Sequence, residues 1–212
     1  AGAGCTPAAP YNLEAANGVS CTIATVAAAA LGIRDIGHLT EAQRHDIRRA
    51  HLLLALFNAM RPGVFALSGW DLVGALTLPG ESVKPMIAEG DTRWINRGAY
   101  DLLGKHSGVA KSSSDLPRAQ ALYGPLPEQL KRPDSFASEL RKMLRVRAQY
   151  RINESEQVEL PAVQAQSLVV MVHRLPAGMG TQVTAINFGR TAAREAVTLE
   201  TAPPGGAVTD LL

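Results

Sequence analysis

Two short segments carry the side chains best suited to bind a ligand. Ser68-Gly-Trp-Asp71 places an indole and a carboxylate directly after a short apolar run, and Asp91-Thr-Arg-Trp-Ile-Asn-Arg97 combines two guanidinium groups, an amide and a second indole. Guanidinium, amide and carboxylate groups supply hydrogen-bond donors and acceptors, while an indole supplies a flat apolar face. This chemistry suits a polyhydroxyl ligand. The candidate binding residues are Trp70, Asp71, Arg93, Trp94, Asn96 and Arg97.

The same side chains also have a purely structural interpretation. Asp71 can cap a turn beyond a strand, and Trp70 can pack into the wall of the fold. Arg93 and Arg97 can instead form ion pairs that fix their own loop. The carboxylates available for such pairs are Asp91 and Asp101. The sequence leaves both interpretations open.

No pattern typical of catalysis or metal binding accompanies these residues. The five histidines lack His-x-x-x-His or His-Glu-x-x-His spacing, and neither Cys5 nor Cys21 has a CxxC partner. His45-Asp46 lies in the first turn of a predicted helix rather than at a strand end, so we do not assign it a catalytic role. We predict no metal and no cofactor. The two cysteines are either separate thiols or a disulfide.

Composition narrows the class of protein. The chain has 212 residues, 46% hydrophobic and 19% charged, with a net charge of +2, which is typical of a folded globular protein. No basic run interleaved with aromatic residues predicts nucleic-acid binding, and no apolar run is long enough to span a bilayer. The start at Ala1 lacks the features of a signal peptide. We therefore expect a cytoplasmic protein that binds neither nucleic acid nor membrane.

Helical patterns precede and follow the candidate residues. Ser20 is a predicted N-cap, and Thr40-Glu-Ala-Gln43 has the spacing of a capping box. The second helix stops at Pro62, because proline cannot continue it. The predicted helices cover residues 20–31, 40–60, 82–89 and 134–150.

Strand patterns dominate the last third of the chain. One short buried strand is predicted earlier, at Val64–Leu67, so that the polar residues 68–71 follow its carboxyl end. The later strands are predicted at 157–160, 168–174, 182–188 and 196–199, and Gly178-Met-Gly180 supplies a hairpin turn. We predict an α/β segment over 1–152 and a small all-β domain over 153–212.

The order of these segments resembles the C-terminal part of the α-amylase family of glycoside hydrolases and transglycosylases. The run from Pro62-Gly63 to Gly69-Trp-Asp71 resembles the eighth barrel strand, and residues 91–97 are similar to an Asp-Asn-Arg-Trp segment of the loop after it. Residues 135–147 resemble the eighth helix. Leu168–Arg174 and Val183–Phe188 resemble two strands of the C-terminal sandwich. The resemblance covers roughly residues 40–201 and is strongest to the trehalose synthases (maltose glucosyltransferases).

This resemblance implies a fold and a role. The fold would be α/β plus all-β: the C-terminal portion of a (β/α)8 barrel followed by a small antiparallel β-sandwich, truncated at both ends. The family's catalytic Asp, Glu and Asp lie on strands that no segment here resembles, so we expect no catalytic residue in this chain. The partners would be an α-glucoside sugar of the maltose, trehalose or sucrose type and the missing N-terminal barrel portion of the same enzyme. The fragment alone should be inactive.

Two other classes of function remain open from the sequence. A non-catalytic carbohydrate-binding or assembly module would need an exposed aromatic platform, and Phe188 is the only aromatic residue after Tyr150. An unrelated small enzyme with its site at Asp71 and Arg93 would need a nucleophile or base, and the sequence offers no candidate.

Overall fold

The computed structural model describes residues 21–87, 91–201 and 207–212. The described residues form two compact units. Of the described residues, the first unit contains 21–51 and those within Leu67–Ser138, and the second contains Leu52–Ala66 and those within Glu139–Leu212. The predicted domains, 1–152 and 153–212, rest on sequence patterns and stay a prediction, as does the barrel fragment with a sandwich.

The described helices largely follow the predicted pattern. They are α1 (Ile23–Ala30), α2 (Glu41–Ala59), α3 (Gly69–Leu72), α4 (Lys84–Ile87), α5 (Leu126–Gln129) and α6 (Phe136–Gln149). Four 3₁₀ turns lie between them and in the β region, at Gly80–Ser82, Thr92–Asn96, Ile152–Glu154 and Pro176–Gly178. The predicted helix over 82–89 begins two residues later in the structure, at Lys84, and its last two residues lie outside the described part of the chain.

Side-chain caps define where the first two long helices begin. Thr22 caps α1, with its hydroxyl accepting the Thr25 amide at 3.3 Å, whereas the predicted cap, Ser20, lies outside the described residues. The predicted capping box of α2 is confirmed. The backbone amide of Gln43 donates to Thr40 Oγ1 at 3.2 Å, and the backbone amide of Thr40 donates to Gln43 Oε1 at 2.9 Å. These reciprocal bonds satisfy amides that the first helical turn leaves without partners.

A buried glutamine joins three parts of the first unit. Gln129 is fully buried, and its Nε2 donates to the carbonyls of Leu72 at 2.8 Å and Gly124 at 2.7 Å. Its Oε1 accepts the Ala137 amide at 3.1 Å, in the first turn of α6. The side chain therefore pairs buried backbone groups at the end of α3, in a turn and at the start of a helix. Gln129 is an anchor for the segment that carries Trp70 and Asp71.

The predicted strand at Val64–Leu67 is wrong. These residues have no regular structure, and Val64 is 96% exposed. The backbone just before them is engaged elsewhere, because the Gly63 amide donates to the Asn153 carbonyl at 2.9 Å. The Arg147 guanidinium also donates to three carbonyls there, those of Ala59 and Arg61, both at 2.6 Å, and that of Gly63. Hydrogen bonds from the Arg147 side chain therefore hold this part of the backbone, in place of pairing with a neighbouring strand.

One three-stranded antiparallel sheet lies in the second unit. Its order is β1 (Glu156–Glu159), β2 (Leu168–Arg174) and β3 (Thr181–Asn187), which confirms three of the later predicted strands to within a residue. The hairpin between β2 and β3 is also confirmed, with Arg174 opposite Thr181 and the Leu175 amide donating to the Gly180 carbonyl at 2.9 Å. The central strand is buried from Val170 to His173.

The predicted strand at 196–199 is wrong. Exposure alternates there as it does in a strand, but the residues pair with no neighbour in the described part of the chain. The following backbone binds a side chain instead. The Glu159 carboxylate accepts the Glu200 amide at 3.1 Å and the Thr201 hydroxyl at 2.8 Å. The Glu159 carboxylate at the end of β1 therefore holds this segment without pairing between strands.

Candidate functional site

An open cleft of about 430 Å³ lies in the first unit. Two of the six predicted binding residues, Trp70 and Arg97, line it together although they come from separate segments. Its wall is rich in aromatic and cationic side chains. The lining residues are Trp70, Arg97, Gly98, Ala99, Tyr100, His106, Val109, Lys111, Ser112 and Arg118.

The short helix α3 holds Trp70 at this cleft. Ser68 is extended, with φ −80° and ψ 152°, and the chain turns into the helix at Gly69. The Trp70 carbonyl accepts the Ala75 amide at 2.9 Å, which closes the turn after the helix. A Cβ atom at Gly69 would lie 2.7 Å from Tyr100 Oη, so a larger residue at this position would require the Tyr100 side chain to shift. The missing side chain lets Tyr100 approach the backbone beside Trp70.

Asp71 does not line the cleft. It is only 5% exposed, its Oδ2 accepts the Ser68 amide at 3.3 Å, and its Oδ1 has no hydrogen-bond partner among the described residues. Burial raises the pKa of this carboxyl, and the nearby amides of Ser68 and Ile23 only partly offset the rise. The bond to Ser68 is the cap geometry that the structural interpretation expects.

The segment around Arg93 is held by exposed ion pairs. Asp91 accepts the Arg93 amide at 3.0 Å and two guanidinium bonds, from Nε at 2.8 Å and Nη2 at 3.1 Å. These bonds from Arg93 lower the pKa of Asp91 to about 2. Arg97 Nη2 lies 3.7 Å from the same carboxylate. The ion pairs expected from a loop that fixes itself are therefore present at Asp91.

Asp101 has a different role from the predicted one. Its carboxylate accepts three consecutive backbone amides, those of Gly104 at 2.8 Å, Lys105 at 3.1 Å and His106 at 2.8 Å. Burial raises the pKa of Asp101, but the three amides outweigh this effect and the pKa is lowered. The predicted pairing of Asp101 with an arginine is wrong, because the carboxylate organises the loop that carries His106 into the cleft.

The Arg97 guanidinium stacks on the ring of Trp94. The Arg97 guanidinium carbon lies 4.3 Å from the centre of the Trp94 ring, a cation–π geometry. Trp94 itself is half-buried and packs on the core cluster that contains Ile95, and Asn96 is half-buried in the same 3₁₀ turn. Of this segment, Arg97 alone lines the cleft; Arg93, Trp94 and Asn96 do not.

The other lining residues of the cleft were not found from the sequence. Arg118 Nη1 donates to the carbonyls of His106, Ser107 and Val109 at 3.1, 3.1 and 2.8 Å, which fixes the loop against the wall. Lys111 Nζ lies 2.8 Å from Asp115 Oδ1. The residues missed are Tyr100, His106, Lys111, Ser112 and Arg118. They lie in irregular backbone without a periodic pattern, so the only signal was the concentration of cationic residues over 105–118.

The remaining sequence predictions concern metals, thiols and membranes. Within residues 21–87, 91–201 and 207–212, no three His, Cys, Asp or Glu side chains are close enough to hold a metal ion. Cys21 is a free, half-buried thiol, and burial raises its pKa, whereas Cys5 lies outside the described residues. No helix in the described part of the chain is both long and apolar enough to cross a membrane.

The aromatic platform expected of a dedicated sugar-binding module can be checked in the second unit. Phe188 is 40% exposed, and its ring meets that of Phe57 edge to face, with centroids 6.2 Å apart. It therefore packs against another aromatic ring instead of lying flat on the surface.

The cleft combines two aromatic rings with several donors, and none of the described Asp or Glu residues lines it. Such a wall can orient a hydroxylated ligand by stacking and hydrogen bonding, but by itself it supplies no carboxylate for acid–base or nucleophilic chemistry. No protein-family model matches this chain, and no curated protein matches it.

Proposed function

We propose that this chain is the C-terminal part of a retaining α-glucosyl transferase or hydrolase of the α-amylase family. The substrate class is maltose- or trehalose-type sugars, and in the whole enzyme the reaction would be the isomerisation of maltose to trehalose. The chain's part is to form the rim around the acceptor sugar. The observation that carries the proposal is the cleft in which Trp70 and Arg97, both chosen from the sequence as sugar-binding residues, lie together.

The side chains of the cleft suit a sugar. The rings of Trp70 and Tyr100 can face the C–H groups of a pyranose, while Arg97, His106 and Ser112 can exchange hydrogen bonds with its hydroxyls. A volume of about 430 Å³ falls within the range of small-molecule sites and suits one or two sugar rings. The remaining cations are held by loop contacts, which keeps the wall in place before a ligand arrives.

The carboxylates would come from the rest of the enzyme. Retaining transfer needs a nucleophilic carboxylate and an acid–base carboxyl about 5–5.5 Å apart. The nucleophile forms a glucosyl ester with the anomeric carbon while the acid protonates the leaving sugar oxygen. The acceptor hydroxyl then attacks the anomeric carbon and displaces the nucleophilic carboxylate, while the acid–base group, now deprotonated, removes the hydroxyl proton. This chain would hold the acceptor sugar during the second step.

Direct binding tests the proposal. Isothermal titration of the 212-residue chain with maltose, trehalose and glucose should show saturable binding. Trp70→Ala should weaken it about tenfold, because stacking on one indole is lost. The matched control is Phe188→Ala, which removes a partly exposed aromatic ring outside the cleft and should leave sugar affinity unchanged. Failure of all three sugars to bind, or an equal loss in both variants, would contradict the proposal.

An activity assay tests the division of labour. The purified chain should release neither glucose nor trehalose from maltose, because no described residue that lines the cleft carries a carboxylate. Measurable conversion by the chain would overturn the assignment of both carboxylates to another part of the enzyme.

A further inference from the structure

A second hollow in the first unit has basic side chains at half of its lining positions. It encloses about 220 Å³. The basic residues are Arg44, Arg48 and Arg132, which define the arginine hollow, with His45 beside them. The other lining residues are Glu41, Leu122, Tyr123 and Phe136. None of these residues lines the sugar cleft.

Two elements bring the arginines together. Arg44 and Arg48 are four residues apart on α2, so their side chains lie on the same face of the helix. The capping box at Thr40 and Gln43 fixes the turn in which this face begins. Arg132 comes from the chain after α5, where its amide donates to the Gln129 carbonyl at 3.0 Å. The backbone positions of all three arginines are therefore fixed by these elements.

The three arginines form few and long contacts to carboxylates. Arg44 Nε lies 3.5 Å from Glu41 Oε1, a long contact to an exposed carboxylate. Arg48 Nη1 donates to the Asp134 carbonyl at 2.6 Å and lies 4.0 Å from the Asp134 carboxylate, a long contact to an exposed group. The Arg48 Nε is buried and has no acceptor among the described residues. Arg132 forms no ion pair within the part of the chain that the structure describes. A buried guanidinium N–H without an acceptor is costly, and an oxyanion would supply one.

Two stacked aromatic rings form the apolar wall of the hollow. Tyr123 Oη lies 3.0 Å from His51 Nδ1, and the Phe136 ring stacks on Tyr123 with centroids 4.8 Å apart. Burial lowers the pKa of His51 to about 4, so this histidine is neutral at pH 7. The wall therefore neither adds a charge nor competes with the arginines for a ligand. It lowers the local exposure to water, which strengthens charge-assisted hydrogen bonds.

We propose that the arginine hollow binds a phosphate group, either as inorganic phosphate or as the phosphate of a sugar monoester. A planar carboxylate occupies one guanidinium fork, whereas a tetrahedral phosphate dianion has enough acceptor oxygens for three. The volume fits a phosphate and leaves the attached group outside. This site is independent of the sugar cleft, so it stands whether or not the cleft binds sugars.

Titration of the full chain tests this inference. Isothermal titration with inorganic phosphate in a low-salt buffer should show one saturable site, while sodium chloride at the same ionic strength should not reproduce the heat. Glucose 1-phosphate and glucose 6-phosphate form the second arm. Equal affinity for all three ligands identifies the phosphate alone as the recognised group, and tighter binding of one ester identifies a sugar phosphate as the ligand.

Variants locate the site. Arg132→Gln and Arg44→Gln should each weaken phosphate binding about tenfold, because each removes charge-assisted hydrogen bonds. Arg145→Gln is the matched control, since this exposed arginine on α6 lies outside the hollow, and it should bind phosphate normally. Unchanged thermal unfolding of all three variants would show that folding is not the cause. Absence of phosphate binding, or an equal loss in the control, would overturn the inference.

Discussion

Asp71 and Asp91 flank the candidate binding side chains in two segments of the first unit, and they are held in opposite ways. Asp71 is buried, with one accepted hydrogen bond at Oδ2 and an unpartnered Oδ1 in the described part of the chain. Asp91 is more exposed and accepts three bonds from Arg93. Burial raises the pKa of the first carboxyl, and hydrogen bonds from Arg93 lower the pKa of the second.

The difference shows that residue type alone does not identify a binding group. Both segments combine an acidic residue with a tryptophan, and only one residue from each, Trp70 and Arg97, lines the cleft. Buried hydrogen bonds hold the chain around Asp71, through the cap of α3 and the Gln129 side chain. Exposed ion pairs with Arg93 and Arg97 hold the chain around Asp91. The two segments should therefore respond differently to mutation and to pH.

Gln129→Leu should have the largest effect, because it removes the internal anchor. The carbonyls of Leu72 and Gly124 and the Ala137 amide would lose their buried partner. We expect the free energy of unfolding to fall by about 3 kcal/mol or more, measured by urea denaturation. Gln149→Leu, at an exposed position on α6, is the control and should change it by less than about 0.5 kcal/mol. Similar values for the two variants would contradict the anchoring role of Gln129.

Gly74→Ala should come next. Gly74 follows α3 with φ +62°, and a Cβ atom there would lie 2.6 Å from the Tyr123 ring. We expect a loss of about 2 kcal/mol or more in thermal or urea unfolding, from backbone strain and overpacking together. Gly63→Ala separates the two causes, since Gly63 has φ +87° but open space around it, and should cost only about 1 kcal/mol. A smaller loss at Gly74 than at Gly63 would refute the close packing of Tyr123.

Asp71→Asn should change how stability depends on pH. Because the folded pKa of Asp71 is raised, the folded chain holds its proton more tightly than the unfolded chain does. Stability from this group is therefore present below its ordinary pKa of 3.8 and is lost as pH rises through the folded value. The loss should be absent in the variant, which urea unfolding at pH values from 4 to 7 can measure. Identical pH profiles for both chains would mean that Asp71 is not buried in solution.

Asp91→Asn should have the smallest effect on stability and the opposite dependence on pH. The folded pKa of Asp91 is about 2, so its contribution is present above the ordinary value of 3.8 and is lost as pH falls toward the folded one. Since the ion pairs are exposed, added salt should weaken this contribution in the wild-type chain. Comparing unfolding at low and high salt checks the point, and a salt-independent, large loss would indicate a buried role.

The parts of the fold that local sequence determines were predictable. Thr40 and Gln43 form the expected capping box, and the β2–β3 hairpin has the expected turn, because hydroxyl, amide and glycine residues act within a few positions. The wrong strands at 64–67 and 196–199 have strand-like residues, but long-range side-chain contacts from Arg147 and Glu159 hold the neighbouring backbone. Such contacts leave no periodic pattern in the sequence.

The candidate site was predictable to a similar extent. Trp70 and Arg97 were chosen for their chemistry, and both line the cleft. The other lining residues were missed because their position depends on Asp101 and Arg118, which bind backbone amides and carbonyls. A side chain that organises a loop in this way has the same type and spacing as an ordinary surface charge.

The three bonds from Arg147 also bear on the order in which the chain folds. They join residues 84 to 88 positions apart, so the intervening chain must close before the guanidinium can bind the end of α2. Closing such a long loop costs conformational entropy before the bonds form, whereas the β2–β3 hairpin needs only a short turn. The end of α2 should therefore be completed late. In pulse-labelling hydrogen exchange, the Gly63 amide, which donates to the distant Asn153 carbonyl, should gain protection after the amides of the hairpin.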